Sequence, residues 1–257
     1  MTLITFIKYD DSVKNFFSRE LFKDGTILWA GYNSTPLVTE TEDWDEIIMV
    51  KYLSQNEEKK AIERITDDHR IEKNKVISVN LMSQANLAKI NAILNSYSKD
   101  SIDMTQSDRW KNPIGSPNSP STKQINLIKQ KYTKIPIAIV NMMKYKDIAV
   151  YPEDYKGKTG KRGKIFTGRE AYERYANKSM KKMGKSGGQI IALGNFDTVA
   201  AGDEDSDWDT FTNVLYPSID VFIETFNVED FESELIDRDA GLEKSKISVA
   251  STYEEFL

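Results

Sequence analysis

The sequence predicts an α+β protein made of two ferredoxin-like β-α-β-β-α-β modules, each with an antiparallel sheet. Residues 43–54 and 207–218 read DWDEIIMVKYLS and DWDTFTNVLYPS, and six of the twelve aligned positions are identical. Identity at this level indicates a duplicated unit. Around each copy, β-branched and aromatic runs alternate with helical spacing in the same order. That order is the split βαβ arrangement.

Each copy of the repeat divides into six elements. In the first copy these are strand Leu3–Tyr9, helix Ser12–Phe22, strand Thr26–Tyr32, strand Asp45–Tyr52, a helix capped by Ser54 and strand Val76–Met82. In the second copy they are strand Ile135–Tyr145, helix Gly168–Lys185, strand Gln189–Phe196, strand Asp209–Tyr216, a helix capped by Ser218 and strand Ile247–Ser251. The serine hydroxyls are suited to accept an otherwise unpaired helix N–H.

The repeat also predicts how the chain is divided. Residues 1–97 form the first module with a trailing helix, Ser83–Tyr97. Residues 98–123 are rich in Ser, Asn and Pro, which is typical of a linker. Residues 124–257 form the second module, which begins with helix Gln124–Tyr132 and contains an inserted basic loop at about 148–167. Because a sheet with one bare face would expose apolar residues, we expect each sheet to cover the other.

Composition restricts the class of protein. The 257-residue chain has a net charge of −5 and no cysteine. The missing cysteine excludes disulfides, thiolate catalysis and Cys-ligated metals, and the charge argues against nucleic-acid or anionic-membrane partners. The first residues do not resemble a secretory signal, and no apolar run approaches the ~18–20 residues of a membrane span. We therefore expect a soluble, cytoplasmic protein.

The second copy resembles an uncharacterised bacterial domain family of the dimeric α+β barrel superfamily. The resemblance covers about residues 137–250 and rests on Asn141, Gly187-Gly188, Trp208-Asp209 and Asp237-Arg238 followed by Ala240-Gly241-Leu242. In the first copy Thr5 replaces the Asn, whereas His69-Arg70 keeps the basic pair. The resemblance implies that the modules pack sheet against sheet as an intramolecular pseudo-dimeric barrel. The superfamily includes cofactor-free monooxygenases, lactone isomerases and haem-handling enzymes. The resemblance to the uncharacterised domain family itself implies no particular activity.

Four residues of the second copy are candidates for binding a ligand. Asn141 interrupts an apolar strand, and a buried amide needs partners, either a ligand or neighbouring backbone. Tyr172 and Tyr175 would line a cleft between sheet and helices, although their helical spacing is equally typical of core residues. Arg238 recurs at the position of Arg70 in the first copy. An Arg there either binds an anionic group or simply complements a helix C-terminus.

Other motifs have simpler interpretations. His69, the only histidine, is a candidate proton shuttle or haem ligand, but its charged neighbours favour a solvated turn. Trp44 and Trp208 recur in both copies, which favours a structural role for the two rings. The basic stretch 156–164 lacks the glycine spacing of a phosphate-binding loop, and 203–209 lacks the required residues of a calcium loop.

Three functions of different class follow from the sequence. The first is a protein that binds a small, partly apolar organic molecule, or a cofactor-independent enzyme of monooxygenase or isomerase type that acts on one. The second is a non-catalytic structural or interaction protein. The third and weakest is a haem-handling protein. We expect no cofactor and leave open whether the protein is an enzyme. The modules are expected to pair within one chain, and self-association of whole chains remains an alternative.

Overall fold

A computed structural model describes residues 1–13, 19–38, 42–97, 116–160, 163–203, 205–225 and 231–257. The strands are β1 Thr2–Tyr9, β2 Thr26–Val38, β3 Glu46–Lys51, β4 Ile71–Leu81, β5 Ile137–Tyr145, β6 Gln189–Ala201, β7 Thr210–Tyr216 and β8 Leu242–Thr252. The α-helices are α1 Gln55–Asp67, α2 Gln84–Ser96, α3 Thr122–Lys131, α4 Gly168–Lys185, α5 Ile219–Thr225 and α6 Phe231–Gly241. Short 3-10 helices occupy Arg19–Phe22 and Glu254–Phe256.

The eight strands form one closed barrel in the order β1-β3-β2-β8-β5-β7-β6-β4, and every neighbouring pair is antiparallel. The first four strands follow the order 4-1-3-2 around the barrel, and the last four repeat it. Two seams join the halves, between β2 and β8 and between β4 and β6. The predicted α+β fold class, with two ferredoxin-like sheets closing a barrel within one chain, is confirmed.

The three largest apolar clusters of the described residues lie inside the barrel and on its two outer sides, because successive strand residues point to opposite faces of the sheet. The barrel interior holds side chains from both halves, including Phe6, Trp44, Met142 and Trp208. Outside the first half, α1 and the 3-10 helix at Arg19–Phe22 cover the sheet. Outside the second half, a larger layer brings together residues of α2, α3, α4 and α5. The outer layer of the second half is where the candidate site lies.

The repeated Trp-Asp motif anchors the end of the first strand in each half. The carboxylate of Asp45 accepts a hydrogen bond from the backbone N–H of Tyr9 at 2.8 Å. Asp209 accepts the equivalent bond from Tyr145, also at 2.8 Å. Trp44 and Trp208 are both buried in the barrel interior. The motif therefore recurs because the same strand ending is built twice.

Most of the predicted elements are present, and the differences have tertiary causes. Helix α4 has the predicted bounds, and Ser54 and Ser218 both accept helix N–H groups. Strands β2 and β6 continue well beyond their predicted ends. Their extensions pair across the two seams, and that pairing supplies hydrogen bonds that local sequence does not reveal.

The predicted helix Ser12–Phe22 is only partly within the described residues. The structure has a 3-10 turn at Arg19–Phe22, and residues 14–18 lie outside the described ranges. The second helix of the second module corresponds to two helices, α5 and α6. The division of the chain at 98–123 stays a prediction, because 98–115 are not described and both halves share one barrel. Each helix within the described ranges is too short or too polar to span a lipid bilayer.

Candidate ligand-binding site

A cavity of about 230 Å³ lies between the outer sheet face of the second half and helix α4. Its walls are mostly apolar, with Ile139, Met180, Ile190, Val214 and Phe222 among the lining residues. Protein interiors are normally packed without voids larger than a water molecule. A void of this size in the outer layer therefore marks a candidate binding site.

Strand alternation selects the sheet residues that face the cavity. From β5 these are Ile139, Asn141, Met143 and Tyr145, and from β7 they are Thr210, Thr212, Val214 and Tyr216. The intervening residues, such as Val140 and Phe211, point into the barrel. Asn141 and Thr212 are directly opposite each other on neighbouring strands. Their side chains can therefore act together.

Helix α4 forms the opposite wall. Tyr172, Tyr175, Ser179 and Met183 lie along one of its faces, as spacings of three and four residues require. A capping box between Thr167 and Glu170 fixes where the helix begins. The helix also packs closely against α6, because a Cβ added at Gly168 would collide with the backbone carbonyl of Gly241. The close approach holds Arg238 of α6 at the cavity.

Asn141 is held by two donated hydrogen bonds. Its amide nitrogen donates to the carbonyl of Ile139 at 3.2 Å and to the hydroxyl of Thr212 at 3.1 Å. Both amide protons are therefore used. The amide oxygen has no hydrogen-bond partner among the described residues. The predicted alternative in which the Asn141 amide bonds neighbouring backbone is observed, and its role in binding a ligand stays a prediction for a residue that lines the cavity.

Aromatic rings make up one end of the cavity wall. Tyr172 lies between Tyr145 and Tyr175, with ring centroids 5.3 and 5.5 Å away. Burial raises the pKa of the Tyr172 hydroxyl well above its usual range, with a smaller contribution from Tyr175. That hydroxyl therefore stays protonated, and it has no hydrogen-bond partner among the described residues. The Ser179 hydroxyl is likewise buried and unpaired there.

Arg238 lines the cavity and also binds a segment that precedes α3. Its guanidinium donates to the hydroxyls of Ser116 at 3.1 Å and Ser119 at 2.5 Å. It also donates to the carboxylate of Asp239 at 3.2 Å. Asn118, from the same segment, accepts a hydrogen bond from Ser245 at 2.9 Å and lines the cavity. Arg238 thus carries a charge that already has a carboxylate partner.

The inserted loop of the second half is tied to both helices next to the cavity. Asp237, which stands at the position of His69, is fully buried. It accepts a hydrogen bond from Tyr151 at 2.9 Å and lies 3.5 Å from Arg174 and 3.4 Å from Lys178. Arg174 also donates to the carbonyl of Gly157 at 2.8 Å. The two basic residues of the loop at 161 and 162 lie outside the described part of the chain.

His69 and Arg70 lie elsewhere, in the turn between α1 and β4. They border a shallow depression on the first half together with charged residues of α1. Arg70 forms a two-pronged pair with Asp68, and the hydrogen bond from Arg70 lowers the pKa of that carboxyl. Haem needs apolar walls around its axial ligand, and the surroundings of His69 do not fit that requirement.

Within the described ranges, no three carboxylate or imidazole side chains converge to hold a metal ion.

The structure therefore brings together four of the six candidate residues and separates two. Asn141, Tyr172, Tyr175 and Arg238 all line the cavity, whereas His69 and Arg70 do not. Sequence reasoning did not identify Thr212 or Ser179. A signal for Thr212 was present, because it stands where the first copy has the apolar Ile48. Ser179 was detectable only by extending the helical spacing of Tyr172 and Tyr175.

Comparison with known proteins identifies similar solved structures but no family. No protein family and no curated protein matches the chain. A protein of unknown function from Rhodopseudomonas palustris, RPA0582, is 23% identical over 53% of this chain and 97% of its own, with a TM-score of 0.46.

Two further solved structures are similar over nearly the whole chain. A mutant chlorite dismutase from Candidatus Nitrospira defluvii is 10% identical, covering 99% of this chain and 92% of its own, with a TM-score of 0.42. A dye-decolorizing protein from V. cholerae is 9% identical over 97% of this chain and 93% of its own, with a TM-score of 0.38. None of these similarities assigns a ligand to the cavity.

Proposed function

We propose that the second half of the barrel binds a small, mainly apolar organic molecule in the cavity between its sheet and α4. The observation that carries the proposal is the void itself, about 230 Å³ of space lined mostly by apolar side chains, where the buried Ser179 hydroxyl has no partner among the described residues. A cavity of roughly 150 Å³ is enough to hold benzene, and sites for drug-sized ligands begin near 300 Å³. The ligand is therefore small.

Binding fits the lining better than proton abstraction. The described residues that line the cavity include no carboxylate, imidazole or amine, which are the usual general bases. One observation favours an enzyme as a second candidate. Tyr172 lines the cavity, burial keeps its hydroxyl protonated, and that hydroxyl would donate a hydrogen bond to a substrate oxygen in a cofactor-independent monooxygenase or isomerase reaction.

A purely structural role does not account for the void. If duplication served only to bury the sheet faces, we would expect the outer layer of the second half to be filled by side chains. The resemblance of residues 137–250 to an uncharacterised bacterial domain family supplies no activity. The proposal therefore rests on the cavity and on the residues that line it.

The test is to fill the cavity. Ala176 of α4 lines it, and Ala176→Leu would occupy the space that a ligand needs. Neutral single-ring aromatics at about 100 times their Kd should raise the wild-type melting temperature by roughly 5–10 °C. Ala176→Leu should lose this response. Asn177→Leu, on the exposed side of the same helix, is the matched control and should keep it. Equal responses of wild type and Ala176→Leu would rule the cavity out as the binding site.

A further inference from the structure

The orientation of the Asn141 amide determines which group it can recognise in a ligand. Reversing the amide would place its oxygen against the carbonyl oxygen of Ile139, and two acceptors repel each other. The observed orientation is therefore the stable one. Both protons of the amide are used within the protein, so the only capacity left to Asn141 is that of an acceptor. A ligand that pairs with it must present an O–H or N–H group.

Thr212 adds the complementary capacity. Its hydroxyl oxygen accepts the hydrogen bond from Asn141 and keeps its own proton, for which the described residues offer no acceptor. The cross-strand pair therefore presents one acceptor, on Asn141, and one donor, on Thr212. A hydroxyl group satisfies both at once, because it donates one hydrogen bond and accepts others.

Size and shape restrict the rest of the ligand. The volume of about 230 Å³ leaves room for one ring with small substituents. Tyr172 and its two aromatic neighbours form a wall on which an aromatic ring can pack edge to face or offset. Methionine and branched aliphatic side chains line the remainder. The walls thus favour an apolar ring, and the polar pair favours a hydroxyl on it.

We infer that the cavity selects a neutral single-ring phenol, whose hydroxyl donates to Asn141 Oδ1 and accepts from the hydroxyl of Thr212. The inference rests on the proposed function and names its ligand class. A phenolate would set a charged oxygen against the amide oxygen and is disfavoured. A carboxylate would have to compete with Asp239 for Arg238, so the charged residue at the cavity does not favour an acid.

The experiment compares two ligands of the same shape in two proteins. 4-Methylphenol and p-xylene differ by a hydroxyl in place of a methyl group, and their dissociation constants are measured by calorimetry. Asn141→Leu removes the acceptor and keeps the size of the side chain. The preference for 4-methylphenol over p-xylene should be about tenfold greater in wild type than in Asn141→Leu. Because the same two ligands are compared in both proteins, the difference in their hydration cancels when the preference of wild type is divided by that of Asn141→Leu.

Two further variants complete the test. Thr5→Val changes the equivalent position of the first half, which does not line the cavity, and should leave the preference unchanged. Thr212→Val removes the donor, and should reduce the preference severalfold even if Asn141→Leu does not fold. If both ligands bind and neither variant at the cavity changes the preference, the phenol inference is wrong while the binding function stands. If neither ligand binds wild type at millimolar concentration, the proposed function is wrong as well.

Discussion

The same pair of strand positions carries different side chains in the two halves of the barrel. In the first half Thr5 is opposite Ile48, and in the second half Asn141 is opposite Thr212. Thr5 and Ile48 are both fully buried, within a layer that also contains Phe22 and Tyr52. Asn141 and Thr212 instead border a cavity of about 230 Å³.

The frame around these positions is shared. Each half has the strand order 4-1-3-2, a Trp in the barrel interior and an Asp that caps the end of its first strand. The strand arrangement is therefore common to both halves, whereas the side chains at these positions and the elements that cover the two outer faces differ. The comparison teaches that a duplicated module can keep its structural anchors in both copies and still use one outer face for packing and the other for a cavity.

The largest expected effect tests this contrast directly. Ile48→Ala should lower the free energy of unfolding by about 2–5 kcal/mol, because it opens a new cavity in a packed layer. Thr212→Ala should cost only about 1 kcal/mol, since it enlarges an existing void and removes one hydrogen bond. Chemical denaturation of both variants checks the prediction. Equal losses would mean that the two outer layers are packed alike.

A second prediction concerns the anchors that the halves share. Asp45→Ala and Asp209→Ala should each lower the free energy of unfolding by about 1–3 kcal/mol, because each leaves a backbone N–H without its carboxylate partner. The matched controls Asp45→Asn and Asp209→Asn keep an acceptor oxygen and should lose less. Denaturation midpoints of the four variants provide the measurement. A loss in one half alone would break the equivalence of the two anchors.

The smallest effect distinguishes the two equivalent arginines. Arg238→Met should increase amide hydrogen exchange at Asn118 and Ser119 by about tenfold, because it removes hydrogen bonds that hold this segment. Arg70→Met should leave the same amides unchanged, since Arg70 pairs locally with Asp68. Exchange followed by NMR or mass spectrometry separates the two. An unchanged rate in Arg238→Met would mean that Arg238 does not hold the segment.

The fold was predictable to a large degree, because the repeat and the local periodicity carry it. Helix α4 begins with a capping box and presents a regular apolar face, so its bounds follow from nearby residues alone. The seam extensions of β2 and β6 were not predictable, because their hydrogen bonds go to strands far away in the chain. Hydrophobic periodicity does not indicate that the two sheets close into a barrel. That expectation came from the resemblance to a dimeric barrel family.

The candidate site was predictable in part. Asn141, Tyr172, Tyr175 and Arg238 were identified by residue type and position, and they do meet at one cavity. The role of Arg238 in holding Ser116 and Ser119 was not visible, because those residues lie in the Ser- and Pro-rich stretch that the sequence marks as a linker. His69 attracted attention only as the sole histidine, and its place on the surface reflects the charged residues beside it.

The sequence by itself determined the order of elements, the Trp-Asp anchors and the helix caps, because each depends on residues close together in the chain or on comparison of the two copies. Only the tertiary structure decided that the outer face of the second half contains a void, and that the amide oxygen of Asn141 has no hydrogen-bond donor there among the described residues. The physical reason is that a cavity depends on how side chains from β5, β7, α4 and α6 fill a shared volume. No local pattern records how completely that volume is filled.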